Sequence, residues 1–308
     1  MGASLTVYIL RRLAWMAIVL LIIATASFFL MRFAPGGPFD KERTLPEAIE
    51  KNLRAKYHLD RPLAVQYIIY MGGLIRGDLG PSFKYRNRSV NTIIAQSFSI
   101  SLTLGIYALS LAFIVGVSAG TFAAVNKHSA LDYTTMSITL LGISLPNFFL
   151  GLILLLLFCF ELPLFPAAGW GRPGQMVLPI LTLEAPFTAY IARLMRASML
   201  DVLSQPYIRT ARAKGLSEFQ VVSRHALKNA ITPIVSFMGP AAAAVLTGSI
   251  VIEKIFAIPG LGTHFVNAAL NRDYTLVMGT VLLYSFLLVL FNLAVDIAYS
   301  FIDPRVRL

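Results

Sequence analysis

Gly116-Val117-Ser118-Ala119-Gly120 fits G-x-S-x-G, the pattern that in hydrolases lifts a serine onto a sharp strand-to-helix turn. The chemistry also needs a histidine within hydrogen-bond reach to take the serine proton. Here the pentapeptide lies deep in an apolar run, while His58, His128, His225 and His264 fall in the connections between runs. A membrane hydrolase using Ser118 is the enzymatic alternative; the structural reading is a G-x-x-x-G face whose small residues let two helices approach closely. Glu184 is the second candidate, a carboxylate in the middle of an apolar run with Thr188 one helical turn on and Pro186 between them. Burying such a charge in lipid costs a few kcal/mol or more. The face of Glu184, Thr188 and Ala192 is expected to line an aqueous path, the alternative being a hydrogen bond to a neighbouring helix. Arg193 points to the opposite side near a helix end, where a long cation reaches polar surroundings, and Asp296 also lies near an end. Cys159 is the single cysteine, so no disulfide framework or thiolate cluster arises, and no metal-binding cluster is expected. No G-x-x-x-x-G-K-[ST] occurs, so the chain has no P-loop to cradle nucleotide phosphates.

The chain that positions these residues is built for lipid. Of its 308 residues 57% are hydrophobic and 13% charged, against roughly a quarter charged in soluble domains. The net charge is +11, but the basic residues flank apolar segments instead of forming one patch, which argues for membrane orientation over nucleic-acid binding. Crossing ~30 Å of hydrocarbon takes about 20 apolar residues. Runs of that kind cover 13–31, 102–124, 134–160, 176–195, 231–252 and 276–301, so an all-α membrane protein with six transmembrane helices is expected. The first run follows Arg11-Arg12 and contains Ala24-Thr25-Ala26, as a cleaved signal would. It continues through Phe28, Phe29 and Leu30, which favours a retained span.

Positive charge in short connections marks the cytoplasmic side. With the N-terminus inside, the inner segments hold Arg11, Arg12, Lys127, Arg196, Arg209, Arg212, Lys214, Arg224, Lys228, Arg305 and Arg307; the short outer loops hold only Arg172, Lys254 and Arg272. Both termini are therefore expected in the cytoplasm. The expected organisation is 1–33 for the N-terminus and first span, 34–97 for an external lobe, 98–302 for the core with a cytoplasmic loop at 197–230, and 303–308 for the tail. Within the lobe, Pro35-Gly36-Gly37-Pro38 breaks the first helix, and an amphipathic helix follows Pro46, with Ile49, Leu53 and Tyr57 every four residues. Pro62 opens a second apolar helix over 63–75, ended at Gly77-Asp78-Leu79-Gly80. Such a lobe either caps the bundle or docks an external partner.

The loop at 197–230 is too long for a turn. Pro206 and Tyr207 lead into Ile208-Arg209-Thr210-Ala211-Arg212-Ala213-Lys214, stopped by Gly215, and Ser217-Glu218-Phe219-Gln220 reads as a capping box that starts another helix through Arg224, His225 and Leu227. The expectation is helix, glycine turn, helix: a short rigid element able to carry motion between a membrane bundle and a cytoplasmic engine.

Arg209-Thr210-Ala211-Arg212-Ala213-Lys214-Gly215, with Leu216 after it and Arg224-His225-Ala226-Leu227 beyond, resembles the EAA loop of ABC importer permeases. Ala211, Gly215 and Leu227 match that motif; Arg209 stands where its glutamate usually sits, Thr210 replaces its first alanine and Lys228 its final proline. Ile9-Leu10-Arg11-Arg12, Met31-Arg32-Phe33-Ala34-Pro35-Gly36, Tyr57-His58-Leu59-Asp60-Arg61-Pro62, Gly77-Asp78-Leu79-Gly80-Pro81-Ser82-Phe83, Glu253, Ile255-Phe256, Pro259-Gly260-Leu261-Gly262, Asn271-Arg272-Asp273-Tyr274 and Asp303-Pro304-Arg305 resemble the first permease subunit of dipeptide and oligopeptide importers. The wording around Asp78 is most similar to the oligopeptide type, ahead of the dipeptide, nickel and glutathione types. The resemblance implies the type I ABC importer permease fold in a bacterial inner membrane. It also implies a coupling helix at 209–216 that docks into an ATPase subunit, and an external gate at Pro259-Gly260-Leu261-Gly262. The implied partners are a second homologous permease, two ATPase subunits that carry the ATP and Mg, an external peptide-binding protein and the surrounding lipid, with no cofactor on this chain. A secondary transporter working alone would instead show inverted repeats and several midplane carboxylates, and Glu184 stands alone.

Overall fold

In the computed structural model, which describes residues 2–34, 47–85, 87–248 and 250–302, helix α1 (Gly2–Phe33) runs unbroken because its apolar sequence contains no proline. Ala34, the residue before Pro35, leaves the helix as residues preceding proline are steered to do. Next come α2 (Glu47–Lys56), α3 (Leu63–Ile75), α4 (Val90–Val125), α5 (Ala130–Ser144) and α6 (Asn147–Leu155), the last continuing as a wider π turn to Glu161. After α7 (Pro173–Leu203) the chain forms α8 (Pro206–Ala213), α9 (Glu218–Gln220), a π turn over Val221–Ala226, and α10 (Leu227–Ala230). It ends in α11 (Thr232–Gly248), α12 (Ile250–Ile255), α13 (Leu261–Asn271) and α14 (Tyr274–Ile302). Among the described residues the only β pairing is an isolated bridge between Pro81 and Ser89.

Four of these helices are long and apolar enough to cross a membrane: Val7–Phe33, Val90–Val125, Pro173–Leu203 and Tyr274–Ala294. The apolar run at 134–160, expected as one span, is bent by 104° between α5 and α6; counted as one, that pair makes a fifth crossing. Pro146 lies at the break, where it cannot donate to the α5 ladder and instead opens α6. The run at 231–252 yields a shorter apolar helix, Thr232–Val245. The expected breaker at Pro35–Pro38 and the tail motif at Asp303 lie outside the described residues, as does the side chain of Asp296.

The chain divides into two units. The first comprises Met1–Ile9, Ser101–Ile258 and Leu288–Leu308. Within it α7 is the central element, with α5, α6 and α11 packed along it. Its start is shaped locally: Pro173 occupies the first turn, where no N–H is needed, and the Gln175 side chain accepts from the Arg172 N–H at 3.0 Å. Between α4 and α7 the approach is so close that a Cβ on Gly116 would lie 2.8 Å from Ile191 Cβ, and one on Gly120 2.7 Å from Met195 Cβ. Lipid gives helices no hydrophobic reason to associate, so backbone proximity of this kind, with its dispersion contacts, is what joins them.

The second unit comprises Leu10–Ile100 and Pro259–Leu287. The two helices expected after Pro46 and Pro62 form as α2 and α3. Helix α3 lies along the far end of α1: Tyr67 OH meets Thr25 Oγ1 at 2.9 Å, and Phe28 packs edge-on to Tyr67 and stacks on Tyr70. Ile68, Ile69 and Ile75 of α3 stay exposed. At 13 residues α3 is an apolar helix too short to cross a membrane by itself. A second core joins Val90, Ile93 and Ile94 of α4 to Leu261 and Ala268 of α13 and Leu276 and Val277 of α14.

Candidate functional site

The expected helix, glycine turn and capping box all form. Pro206 occupies the first turn of α8 and fixes φ for it. Ile208 and Ala211, three residues apart, are buried, while Arg209, Thr210, Arg212, Ala213 and Lys214 are exposed on the remaining faces. Gly215 has φ +80°, the left-handed conformation that costs other residues roughly 1–2 kcal/mol. Two residues on, the Gln220 N–H donates to Ser217 Oγ at 3.4 Å and the Ser217 N–H to Gln220 Oε1 at 3.1 Å, which satisfies two donors at the start of α9.

Contacts that the sequence did not disclose brace the turn. Arg212 donates to Glu218 from Nε (3.1 Å) and Nη2 (2.6 Å), and Asn229 Nδ2 donates to Tyr207 OH at 2.7 Å. The Arg212 guanidinium holds the Glu218 carboxyl below its usual range, and Glu218 in turn raises Arg212. Phe219, next to Glu218 in the chain, is 81% exposed. The surface is thus a braced, largely basic knob on which Phe219 and Tyr207 are the exposed large aromatic side chains.

Beneath the knob, Ile208, Ala211, Val221 and Ala226 share a core with Ile191, Met195 and Met199 of α7, and Leu216 packs at its edge. Force applied to α8 is therefore delivered to α7 through close-packed side chains, which do not compress. Near the same end of α7, Arg196 grips Asp132 of α5. Asp132 went unremarked in the sequence, although Ser129 three residues earlier marks it as part of a helix start: Ser129 Oγ accepts from the Asp132 N–H at 3.2 Å.

The other candidates are placed as follows. Thr188 Oγ1 donates to Glu184, so the expected pair meets one turn apart on α7, with Thr188 buried and Glu184 half-buried. Pro259-Gly260-Leu261-Gly262 leads directly into a helix, with Pro259 exposed. Gly260 caps α13, a helix not foreseen, and Gly260, Leu261 and Gly262 are buried. The gate candidates thus lie in one unit and Glu184 with Thr188 in the other. Asp273, part of a motif quoted above without a role, is fully buried and accepts from Ser82 Oγ, from the N–H groups of Phe83 (3.1 Å) and Leu276 (3.3 Å), and from Thr275 Oγ1 (3.1 Å). Ser118 sits within the last third of α4, exposed and on no strand-to-helix turn, while Gly116 and Gly120 beside it are buried against α7. Its motif is a packing face. Among the described residues no group of three or more His, Cys, Asp or Glu side chains is placed to hold a metal ion.

Residues 116–308 match the model of the binding-protein-dependent transport system inner membrane component, and residues 5–105 match that of its N-terminal part. The chain belongs to this family. The permease is 47% identical over 302 residues to the oligopeptide transport system permease protein OppB of Haemophilus influenzae, covering 97% of this chain and 99% of that one. Identity to OppB of Escherichia coli K12 is also 47% over 302 residues. Against the dipeptide transport system permease protein DppB of Bacillus subtilis it is 48% over 301 residues, 98% of each chain. In fold, the permease resembles an inward-facing structure of the MetNI methionine ABC transporter, with a TM-score of 0.57 at 18% identity over 68% of this chain and 96% of that one. Its relatives are transport subunits, and none of these likenesses favours the hydrolase reading.

Proposed function

We propose that the permease forms half of the translocation path of a bacterial ABC importer for peptides of the oligopeptide type. In this reading it pairs with a second homologous permease, receives its cargo from an external binding protein and is driven by two ATPase subunits, which hold the ATP and Mg. Both termini face the cytoplasm, the α5–α6 pair and α11 with α12 complete six crossings, and part of 34–97 faces outward. The observation that carries the proposal is the knob at Arg209–Leu216, whose exposed face is free for an engine while Ile208 and Ala211 are packed into the α7 core. Closure of the ATPases would move this knob and, through α7, swing the bundle between inward-open and outward-open states around a central site. With Arg209 in place of the usual glutamate, the grip on the ATPase falls to the basic face and Phe219. Glu184 with Thr188 would line the path, and Pro259–Gly262, leading into α13, would form the external gate.

A dipeptide importer is the second reading, favoured by the 48% identity to the Bacillus subtilis protein, which does not separate from the 47% to the oligopeptide permeases. Gly215→Val tests the first: valine is strained at φ +80°, so the assembled complex in vesicles should hydrolyse ATP without matching peptide uptake. Undiminished uptake would remove the coupling role. Competition for uptake between dipeptides and longer peptides separates the two substrate readings.

A further inference from the structure

A cavity of about 240 Å³ opens in the second unit among α1, α3 and the 78–83 segment. Its walls are mostly apolar, with Phe28, Ile69, Leu79 and Met278 among them, yet Arg32 lies in them. That guanidinium is held on three sides. Its Nε donates to Gln66 Oε1 at 2.8 Å, and its carbon lies 5.0 Å from the centre of the Phe28 ring and 5.8 Å from that of Tyr274. Gln66 is itself fixed, since its Nε2 donates to Arg61 O at 2.8 Å and Leu59 O at 3.4 Å. Arg32 Nη1 is buried with no hydrogen-bond partner, and no carboxylate pairs with the guanidinium among the described residues. The Tyr70 hydroxyl, on the same cavity, is also buried and unpartnered.

Buried donors without acceptors cost roughly 1–3 kcal/mol each, and an uncompensated buried charge more. Two such donors on one cavity, with Lys56 and His58 also in its lining against the single carboxylate of Asp78, describe a receptor awaiting an anion. Asp78 makes no ion pair with Arg32 among the described residues, and its Oδ1 accepts from the Gly80 N–H at 2.9 Å.

The surroundings select the anion. Arg32 is in the last turn of α1, a helix apolar enough to span the membrane, and Phe29, Phe33, Ile68 and Ile69 nearby on α1 and α3 are exposed. Long basic side chains near the end of a span reach the lipid headgroups, and the apolar walls suit the first carbons of a tail. We propose that this cavity binds the phosphate of an anionic phospholipid, with Arg32 and Tyr70 as its polar contacts and the lipid tail running out over the exposed face of α3. The guanidinium fork suits a phosphate. The site is independent of what the permease transports.

The test uses the full-length permease, purified in mild detergent and followed by native mass spectrometry and thermal unfolding as phosphatidylglycerol, phosphatidylcholine or inorganic phosphate is added. Wild type should retain phosphatidylglycerol and be stabilised by it well beyond phosphatidylcholine. Arg32→Gln should weaken retention about tenfold, and Tyr70→Phe, which removes one oxygen and leaves the ring packing, about threefold, as the loss of a charged and a neutral hydrogen bond would give. Equal retention of the two lipids by wild type would overturn the proposal, as would Tyr70→Phe and Arg32→Gln both binding like wild type. Stabilisation by inorganic phosphate alone, with no preference between lipids, would overturn the lipid as the source. Should Arg32→Gln not fold, Tyr70→Phe and the lipid comparison on wild type decide.

Discussion

Asp132 and Arg196 meet through two parallel hydrogen bonds, Nε to Oδ1 and Nη2 to Oδ2, each 2.6 Å long, with the carboxylate 1% exposed. The pair ties the start of α5 to α7 close to the core on which α8 rests, and Asp132 also accepts from the His128 N–H at 3.0 Å. Removing one partner leaves the other charge stranded. Asp132→Ala is expected to cost about 3 kcal/mol, at the low end for a broken buried pair because Arg196 keeps 26% of its side chain exposed. Arg196→Ala combined with it should cost less than the two single changes added. Thermal unfolding of the four proteins in detergent gives that cycle, and strict additivity would remove the pair as a linchpin.

Gly120 and Ser118 differ in expectation although they belong to one motif. A valine at Gly120 would press on Met195 and on the α7 backbone, so Gly120→Val should cost about 1–3 kcal/mol and depress uptake. Ser118→Ala, on the exposed face, should transport as wild type does. Loss of uptake on the serine change alone would revive the hydrolase reading.

Arg212 and Glu218 set a weak pH dependence in the knob. The Glu218 carboxyl is held below its unfolded value by Arg212, so its contribution is fully present above the usual carboxylate range and is lost as pH falls through the lowered value. With side chains 43% and 50% exposed, the pair contributes about 0.5 kcal/mol, less in high salt. Protection factors at 212–220, taken relative to the intrinsic exchange rate at each pH, should fall about twofold at acid pH in wild type and lose that dependence in Glu218→Gln; identical profiles would dismiss the pair.

Asp273 performs two local tasks with one carboxylate, starting α14 and holding the 82–84 backbone. Asp273→Ala removes a cap, worth about 1 kcal/mol, and leaves buried donors unmet at roughly 1–3 kcal/mol. Limited proteolysis should then cut between Gly80 and Ser89, where wild type resists. An uncut variant of normal stability would show that the loop is held by other contacts.

What could be read along the chain was whatever is decided within about four residues. Helices α2 and α3, the turn at Gly215 and the capping box at Ser217 and Gln220 rest on prolines, a glycine and hydroxyl caps whose partners are sequence neighbours. The packing role of Gly116 and Gly120 was also legible, since four-residue spacing puts two small residues on one helix face. Tertiary structure decided the rest. Asp132 and Arg196 are 64 residues apart, and Ser82 and Asp273 are 191 apart; no local pattern names such partners. An apolar run announces that lipid or protein will cover it, but not its direction. Hence the 104° bend between α5 and α6, the lie of α3 along α1 and the burial of Leu261, at the start of α13, against α4 and α14 emerged only with the folded chain. Caps and turns are local energies, whereas apolar burial and charge pairing are satisfied by any suitable surface the fold brings near, and only the assembled helices select which one.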